Sequence, residues 1–426
     1  MKGKSNKRTS FADFMRKIAS KIKSQKFLNS SRVRPQYFTR NRKMPFVKLV
    51  IFMLNVAKSS IQTRLDDFFE NITSEDISMS HQSFSEARQK IKYAAFPELF
   101  AYGVEVIYEG YYKTWHGYRL SAIDGTKIQL PDDQKLRTRF GAMGPDNSAA
   151  TGQGSALYDV LNNVLIDVRL VPLRIGERTL ALRHLKTLHN LTSFDKEAVI
   201  YDRGYASFEL VETHKRYGIS FVMRVKQGFN TTIDQLPKGD HEMVLQKHGH
   251  DSIHVRVLKF DLSSGETETL ITDIFDNNLD IEDFKKLYFM RWPIETKYDE
   301  IKNKLQVENF SGLTTKAVMQ DFYITMFLSN AIAVASWEAQ SAIDEQREDK
   351  DNKYDYHVNV NHAIGVFRDR FIRAMLEENP QKRAKEVNRI LTLLAKNPVP
   401  TRPDRSVPRN KSPRKAKFRH NRKSNC

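Results

Sequence analysis

The sequence has almost no cysteine. Its single cysteine, Cys426, is the last of 426 residues. A disulfide framework and a zinc site built from cysteines are therefore excluded, and small disulfide-rich folds with them. A chain of this length is long enough for two or three domains with a sizeable core, and we expect it in a reducing cytoplasm.

Long uninterrupted apolar segments are also missing. The two most apolar stretches, FVKLVIFMLNVA and FYITMFLSNAIAVAS, are too short or too interrupted to cross a bilayer and are typical of buried helices. The first 43 residues contain no apolar core of the kind found in signal peptides. The sequence therefore predicts a protein without a membrane-embedded part.

Acidic residues are scarce at the two ends of the chain. The net charge is +18, and residues 1–43 hold 14 Lys or Arg with one acid while residues 402–426 hold ten with one acid. The remaining body is slightly acidic. This distribution predicts two flexible basic arms and a polyanionic partner, nucleic acid before an anionic membrane surface. Basic tails that only aid solubility are the alternative. A membrane-surface protein is a further alternative, but the sequence contains no amphipathic anchor for it.

Between the arms, the pattern changes from helical to mixed. Residues 44–115 carry an apolar period of three to four with a polar break, which is typical of a helix-turn-helix and of ordinary helical hairpins alike. Strand and helix patterns alternate over 116–227, which predicts a mixed α/β sheet. Short strand-like pieces over 228–278 predict a β insertion, helices resume over 279–395, and the Pro-rich basic segment 396–426 predicts a disordered tail.

Two aspartates follow predicted strands. Asp124 comes after the apolar residues SAI, and Asp202 comes after AVIY. Functional groups of α/β sheets gather at the carboxyl ends of strands. An aspartate in such a place also serves as a turn former or a helix cap, so each one alone leaves both readings open.

The stretch YFMRWPIETKYDEIKNKLQ carries a third group of charges. Tyr288, Arg291, Glu295 and Lys302 are spaced by 3, 4 and 7 residues, which at ~100° per residue places them in an arc of roughly 60° on one helix face. Pro293 interrupts this stretch and predicts a kink or the start of a new helix. The stripe is read either as a solvated helix face or as a site.

Converging carboxylates would suit a particular chemistry. Oxygen ligands are those that Mg²⁺ prefers, and two such ions ~4 Å apart support phosphoryl transfer. Asp124, Asp202 and Glu295 would supply the three carboxylates if one of them bridges. Arginine and lysine beside them would hold phosphate groups.

Three motifs together resemble a known family. AIDGTKI, VIYDRGYAS and the spacing Tyr-x2-Arg-x3-Glu-x6-Lys, in this order and with flanks SFSEARQKI and VENFSG, look like the acidic motifs of bacterial insertion-sequence transposases of the DDE class. The spacing is the Tyr-Arg-Glu-Lys signature that defines one group of them. The resemblance covers roughly residues 40–335.

The resemblance implies a fold and its division. It implies a ribonuclease-H-like catalytic core over 116–227 and 279–335, with the β insertion 228–278 between the second and third acids. It implies a DNA-binding domain over 44–115. It also implies that the helical region 336–395 helps to pair two protomers on two DNA ends.

The resemblance also implies roles for single residues. It makes Asp124, Asp202 and Glu295 the catalytic triad that binds two Mg²⁺ ions, or Mn²⁺ ions in their place. It makes Tyr288, Arg291 and Lys302 contacts to DNA near the cleaved phosphate. From the helical pattern and the resemblance together, we predict that Arg88, Gln89 and Lys90 contact the DNA ends.

One departure concerns the β insertion. Some relatives stack a flipped base on an aromatic residue there, at times a tryptophan. The tryptophans of this chain, Trp115, Trp292 and Trp337, all lie outside 228–278. Either Phe229 or Phe260 would take the place of this aromatic residue, or the base would be held differently. A hairpin route is therefore less well supported than strand cleavage itself.

The implied function is that of a transposase. It would act as a homodimer on double-stranded DNA, binding the element's ends and the target, with cut-and-paste strand cleavage and transfer, in the nucleoid-associated cytoplasm of a bacterium. One alternative is a ribonuclease-H-like nuclease that cuts without joining. Another is a DNA-binding protein derived from a transposase and no longer catalytic, which predicts damage to the triad, yet all three acids are present.

Overall fold

The computed structural model describes residues 7–40, 42–55, 58–144, 148–191, 196–262, 265–349 and 353–401. Within these ranges the helices are α1 Phe11–Lys23, α2 Gln25–Ser31, α3 Phe46–Met53, α4 Ile61–Asp67, α5 His81–Gln89, α6 Ala95–Ile107, α7 Gln134–Phe140, α8 Glu177–Asn190, α9 Phe208–Tyr217, α10 Thr231–Gln235, α11 Ile281–Phe289, α12 Pro293–Asp299, α13 Thr315–Glu345, α14 Val360–Leu376 and α15 Pro380–Lys396. Two π-helical turns, Phe68–Ile72 and Glu300–Lys304, directly follow α4 and α12.

The strands alternate with the central helices. They are β1 Arg119–Gln129, β2 Ala142–Met143, β3 Ala149–Asp159, β4 Val164–Pro172, β5 Glu197–Tyr201, β6 Ser220–Val225, β7 Gly239–Leu245, β8 Ile253–Asp261, β9 Thr267–Thr272, β10 Tyr356–His357 and β11 Val399–Pro400. The chain divides into two compact units. The helical unit comprises 1–111, 129–151 and 300–426, and the sheet unit comprises 112–128 and 152–299.

The N-terminal segment of the helical unit corrects one prediction. Residues 1–43 were expected to be a flexible basic arm, but α1 and α2 are formed and packed. One face of α1 is fully or almost fully buried, namely Phe11, Phe14, Met15, Ile18, Ala19 and Ile22. The Phe14 ring stacks on Phe327 at 6.0 Å between centroids. Apolar residues recur here every three to four positions, so the lysines and arginines occupy only the outer face of an amphipathic helix.

Helices α3 to α6 occupy most of the range 44–115. Helix α13 is the longest in the described part of the chain, and it is long and apolar enough to span a membrane. In this structure, 83% of its most apolar window is buried inside the protein. The interior of the helical unit therefore accounts for its apolar character, as expected for a core helix.

The segment after α15 begins with order. β11 pairs with β10 in antiparallel register, His357 opposite Val399 and Tyr356 opposite Pro400. The predicted disordered tail 396–426 is therefore wrong for its first residues. The remainder of that tail, 402–426, lies outside the described residues.

The centre of the sheet unit is a mixed sheet. Its strand order is β4-β3-β1-β5-β6, and β1, β5 and β6 are parallel while β3 and β4 are antiparallel. The backbone bond from Val160 N to Leu120 O (3.0 Å) joins the start of β1 to the end of β3. An antiparallel three-strand meander followed by two parallel strands is the ribonuclease-H-like arrangement, so the predicted fold class is confirmed.

The region predicted as a β insertion extends this same sheet. β9 pairs antiparallel with β6, from Val222–Thr272 to Val225–Thr269, and β8 and β7 follow outward. A core of buried residues runs across the central and inserted strands, including Leu120, Ile200, Val222, Leu258 and Leu270. The inserted strands are thus hydrogen-bonded to the central sheet and packed with it.

Candidate active site

Asp124 lies in β1, and Asp202 directly follows the adjacent parallel strand β5. The β1–β5 register pairs Leu120 with Ala198 and ends at Ala122 with Ile200. Asp124 and Asp202 each come two residues later. Because alternate residues share a face and neighbouring strands lie ~4.8 Å apart, both aspartates belong to one face and one level of the sheet.

Asp124 does not end its strand, which corrects the sequence reading. β1 continues through Gly125 to Gln129, and only the pairing with β5 stops before Asp124. The backbone N–H of Gly125 donates to Asp124 Oδ1 at 2.8 Å, and the Tyr298 hydroxyl donates to the Asp124 carbonyl at 2.6 Å. The sequence predicted that the strand stops at Asp124, yet Asp124 and Gly125 both lie inside β1.

The environment of Asp124 favours its protonated form. Burial raises the pKa of Asp124 to about 6, and the negative charges of Glu177 and Glu295 add to this effect. The Gly125 hydrogen bond and the positive charge of Arg291 oppose it. A carboxyl group held this way gains most from a cation that would neutralise its charge.

The stretch that carries Tyr288, Arg291, Glu295 and Lys302 is interrupted near Pro293, as the sequence predicted. α11 ends at Phe289, and α12 begins at Pro293. Trp292 N donates to Phe289 O at 3.2 Å and Glu295 N donates to Trp292 O at 3.0 Å, which closes the corner between the helices. The stripe predicted for one continuous helix therefore spans two helices, because proline has no N–H and opens α12 instead of continuing α11.

Arg291 connects the acids electrostatically. Its Nη2 donates to Glu295 Oε1 at 3.0 Å, and its guanidinium is 7% exposed. Burial acts to lower the pKa of Arg291, but the Glu295 bond and the charges of Tyr288 and Asp202 outweigh it, so the pKa is raised. Arg291 also lowers the pKa of Asp124. The structure thus brings both aspartates and Glu295 into the field of one arginine.

Tyr288 lies on the Asp202 side of this group. Burial raises the pKa of Tyr288 to about 12, and the charge of Asp202 acts in the same direction. Its phenol therefore stays protonated and can donate a hydrogen bond. Lys302 belongs to the π-helical turn Glu300–Lys304 of the helical unit, where α-helical spacing no longer applies. Its predicted DNA contact stays a prediction.

A fourth carboxylate, Glu177, was missed by sequence reasoning. It is the first residue of α8, directly after the β3–β4 hairpin, and its Oε1 accepts from Gln153 Nε2 at 3.4 Å. A Cβ atom on Gly125 would lie 2.5 Å from this Oε1. The only sequence signal was an acid at a helix start, which usually serves the helix dipole.

The donor set suits a hard cation, since it consists of carboxylate oxygens. In the described part of the chain, no three His, Cys, Asp or Glu side chains stand close enough together to hold a metal ion. One or two protein carboxylates, completed by water and substrate phosphate, suffice for Mg²⁺. The carboxylates therefore fit divalent cations of this kind, with fewer protein ligands at one ion than the predicted triad would give.

Arg88 has a structural role, which contradicts its prediction as a DNA contact. Its side chain is 2% exposed and donates to Gln320 Oε1 (3.0 Å), Ser311 Oγ (2.7 Å) and Asp321 Oδ1 (3.0 Å). A buried guanidinium with these partners joins α5 to α13 and cannot reach a phosphate. Gln89 and Lys90 are half-buried on the same helix, and their DNA contacts stay predictions.

The aromatic residues of the insertion are less available than predicted. Phe260 is 5% exposed and belongs to the core, and Lys285 Nζ lies 4.8 Å from its ring centroid. It therefore cannot stack on a base, while Phe229 is half-buried after β6. Outside the insertion, Phe289 and Trp292 are 63% and 51% exposed at the α11–α12 corner.

Comparison with known proteins agrees with this geometry. No curated protein sequence matches the chain. A solved structure described as the cryo-EM structure of piggyBac transposase synaptic complex with hairpin DNA is similar at 10% identity, covering 90% of this chain and 85% of that one, with a TM-score of 0.46. The family model of the transposase DDE domain matches residues 115–331, just over half of the chain and the whole of the carboxylate site. The chain belongs to the transposase DDE domain family.

Proposed function

We propose that the protein is a transposase of the Tyr-Arg-Glu-Lys group that binds the ends of a bacterial insertion sequence and catalyses metal-dependent strand cleavage and strand transfer by a cut-and-paste route. One observation carries this proposal. Asp124 in β1 and Asp202 directly after β5 each lie two residues beyond the last register pair of these parallel strands, and Arg291 interacts electrostatically with both while it binds Glu295.

The acids and the basic residue have different tasks in the proposed reaction. Asp124, Asp202 and Glu295 would hold divalent cations, Mg²⁺ or Mn²⁺, which would activate the attacking oxygen and stabilise the leaving one. Arg291 would hold a non-bridging oxygen of the phosphate group next to the cleaved bond. Tyr288, protonated because its pKa is raised to about 12, would donate a hydrogen bond to the same group.

A basic groove in the helical unit is the proposed path of the DNA backbone. A cavity of about 790 Å³ is lined by Tyr37, Arg40, Arg42, Lys43 and Lys90. Arg40, Arg42 and Lys43 are exposed, and Lys90 Nζ lies 5.8 Å from the Tyr37 ring centroid. Side chains of this kind contact phosphates without reading base sequence. This groove retains Lys90 as a DNA contact and replaces the flexible arm as the source of attraction.

The groove is tested by the salt dependence of DNA binding. Lys43→Ala and Lys90→Ala should each reduce the slope of log affinity against log salt by about 0.9 if each removes one phosphate contact. Lys238→Ala, at an exposed ion pair of the sheet unit, is the matched control and should leave the slope unchanged. Unchanged slopes for both groove variants would remove this surface from the proposed DNA path.

Two exposed aromatic rings offer a place for an unpaired base. Phe289 and Trp292 flank the corner that carries Arg291 and precedes Glu295. Base–aromatic stacking contributes about 1–3 kcal/mol per base. We propose that Trp292, rather than an aromatic residue of the insertion, supports a displaced base near the cleavage site.

The function is tested with DNA that carries the inverted repeats flanking the gene. With Mg²⁺ and target DNA, the wild-type protein should give nicked, end-cleaved and joined products, and Asp202→Asn should give none while it still binds the DNA. Cleavage without joined products would favour a nuclease that only cuts. Binding without any cleavage would favour a catalytically retired protein.

The remaining partners follow from the proposed reaction. We propose a homodimer on two paired ends, in the nucleoid-associated bacterial cytoplasm, with no membrane partner. Mass measurement by light scattering, with and without end-bearing DNA, tests the pairing. A mass of one protein per DNA end under all conditions would contradict it.

A further inference from the structure

The sheet unit contains a carboxylate that the proposed triad does not use. Glu177 lies against the backbone next to Asp124, since a Cβ on Gly125 would stand 2.5 Å from Glu177 Oε1 and 2.9 Å from its Cδ. Only a residue without a side chain leaves room for the carboxylate at this position of β1. Asp124 is the neighbouring residue of β1, and the charge of Glu177 raises the pKa of Asp124, so the two acids lie close enough to interact.

The orientation of Glu177 is not explained by helix capping. The N-cap residue of α8 is Gly176, which has no side chain that could cap the helix. The partner of the Glu177 carboxylate is Gln153 Nε2 at 3.4 Å, and Gln153 is 1% exposed on β3. Gln153 also donates to the Gly154 carbonyl at 3.1 Å, so its amide is fixed. A buried amide therefore directs Glu177 towards β1.

An unpartnered hydroxyl is buried beside this pair. Tyr205 is 2% exposed, and its hydroxyl has no hydrogen-bond partner in the structure. Burial raises its pKa, and after burial the largest influences are the charges of Asp124 and Glu177. The hydroxyl thus lies close enough to both acids to interact with their charges. A buried hydroxyl without a partner is costly, and a water bound to a cation at this place would satisfy it.

We propose that Glu177 is a fourth carboxylate of the active site and binds a divalent cation together with Asp124. The inference rests on the proposed function, because it adds a residue to that site. Glu295 is engaged by Arg291, whereas Glu177 is exposed to solvent, and its hydrogen-bond partner in the described part of the chain is the neutral amide of Gln153. Asp124 and Glu177 therefore form a two-carboxylate position that needs no release from an ion pair, which is a normal protein contribution to Mg²⁺ binding.

Manganese binding to the full-length protein tests the proposal. The free Mn²⁺ signal in electron paramagnetic resonance is titrated with wild type, Glu177→Gln and Asp124→Asn, without DNA and again with end-bearing DNA. Glu177→Gln keeps the shape of the side chain and should weaken Mn²⁺ binding about tenfold or more. Glu209→Gln, an exposed acid in the first turn of α9, is the matched control and should bind Mn²⁺ like wild type.

A second variant reaches the same group from the other side. Gly125→Ala should displace the Glu177 carboxylate, together with the Gln153 amide that would stand 2.8 Å from the added Cβ, and so weaken Mn²⁺ binding as Glu177→Gln does. A melting curve measures how far the displacement of buried Gln153 also lowers stability. The double variant should bind no more weakly than Glu177→Gln alone, because both changes remove one interaction. Additive losses would mean that Gly125→Ala acts through Asp124, and would count against the proposed contact.

The outcomes separate this inference from the function. Wild-type Mn²⁺ affinity in Glu177→Gln, an equal loss in Glu209→Gln, or no Mn²⁺ binding by the wild type with or without DNA would each overturn the role of Glu177. If Asp124→Asn then still abolished cleavage of end-bearing DNA, the proposed function would stand without it. If Asp124→Asn cleaved like wild type, the proposed function itself would fail.

Discussion

Arg291 Nη2 lies 3.0 Å from Glu295 Oε1, across the corner at which α11 gives way to α12. The pair spans four residues, but it does not belong to one helix. Each partner also interacts electrostatically with an aspartate: Arg291 with Asp202, and Glu295 with Asp124. The bond therefore fixes the third acid against the first two.

Arg291→Ala should reduce the rate of DNA cleavage by roughly 10²-fold, since it removes a positioned positive charge from the reacting phosphate. It should leave affinity for end-bearing DNA mostly unchanged. Single-turnover cleavage and a binding titration measure the two quantities. Lys285→Ala breaks the i,i+3 pair with Glu282 within α11, in which Lys285 is half-buried and Glu282 exposed, and serves as the control. A variant at Arg291 that cleaves as fast as the parent would return this stretch to the reading of a solvated face.

Asp124 should make stability depend on pH in a defined direction. Its pKa is about 6 in the folded protein against about 3.9 in an unfolded chain. Between these values the folded state holds a proton that the unfolded state has lost, so this contribution is full below about pH 4 and is lost as the pH rises through 6. Asp124→Asn should thus gain on the order of 2 kcal/mol relative to wild type between pH 4 and pH 7.

Urea denaturation in the presence of a chelator measures this difference, because bound cations would hide it. Asparagine can still accept the Gly125 hydrogen bond, so the variant isolates the charge. Asp261 is the comparison, since hydrogen bonds from Lys238 and Thr267 lower its pKa. Asp261→Asn should show a difference of opposite sign, and a pH-independent difference for Asp124→Asn would contradict the raised pKa.

The first register pair of β1 and β5 is also an ion pair. Arg119 stands opposite Glu197 and their side chains meet at 2.6 Å, with 0% and 9% exposed. Glu197→Ala should lower the free energy of unfolding by about 3–5 kcal/mol, because it leaves a buried guanidinium without its countercharge. Replacing both residues by Met and Leu should restore most of this loss.

Chemical denaturation checks this prediction, with the exposed Lys238–Asp261 pair as the control. Lys238→Ala there should change stability by less than about 1 kcal/mol. An equally small change for Glu197→Ala would mean that the pair is hydrated in solution.

Helix α1 should behave as core and not as an arm. Phe14→Ala should lower the free energy of unfolding by about 3–5 kcal/mol, because Phe14 is fully buried against Phe327. Lys26→Ala on the exposed side of α2 should be neutral within about 0.5 kcal/mol. Thermal melts followed by circular dichroism measure both. An unchanged melting temperature for Phe14→Ala would restore the view that this segment is a detachable arm.

Local signals in the sequence account for those parts of the fold that depend on local rules. Gly218 ends α9 in a left-handed conformation (φ +64°), and Asn163 has φ +55° after the tip of the β3–β4 hairpin. Pro293 opens α12 as its missing N–H requires. Each of these outcomes follows from the backbone preference of one residue, so no knowledge of tertiary packing was needed.

Other features depend on partners far away in the chain. Counting charges made residues 1–43 look detached, because a count does not register which face of α1 is apolar. Arg88 was assigned to DNA from the helical pattern and the resemblance, neither of which shows its partners Gln320 and Asp321 more than 230 positions away. Glu177 was missed for the same reason: it begins helix α8 while its neighbour Gly125 lies in β1, and the need for glycine there appears only when the two elements meet.

The hydrogen-bonded junction between β6 and β9 has a consequence for how such a chain can change. Because β9 pairs with the outer edge of β6 from Val222 to Val225, the inserted segment cannot be removed without exposing that edge. Its removal would leave the amides of a central, apolar strand open to pairing with any other chain, and the shortened protein would be prone to aggregate. A substitution in β7, where the sheet ends, therefore disturbs the pairing with one strand, whereas a substitution in β9 disturbs the pairing with two.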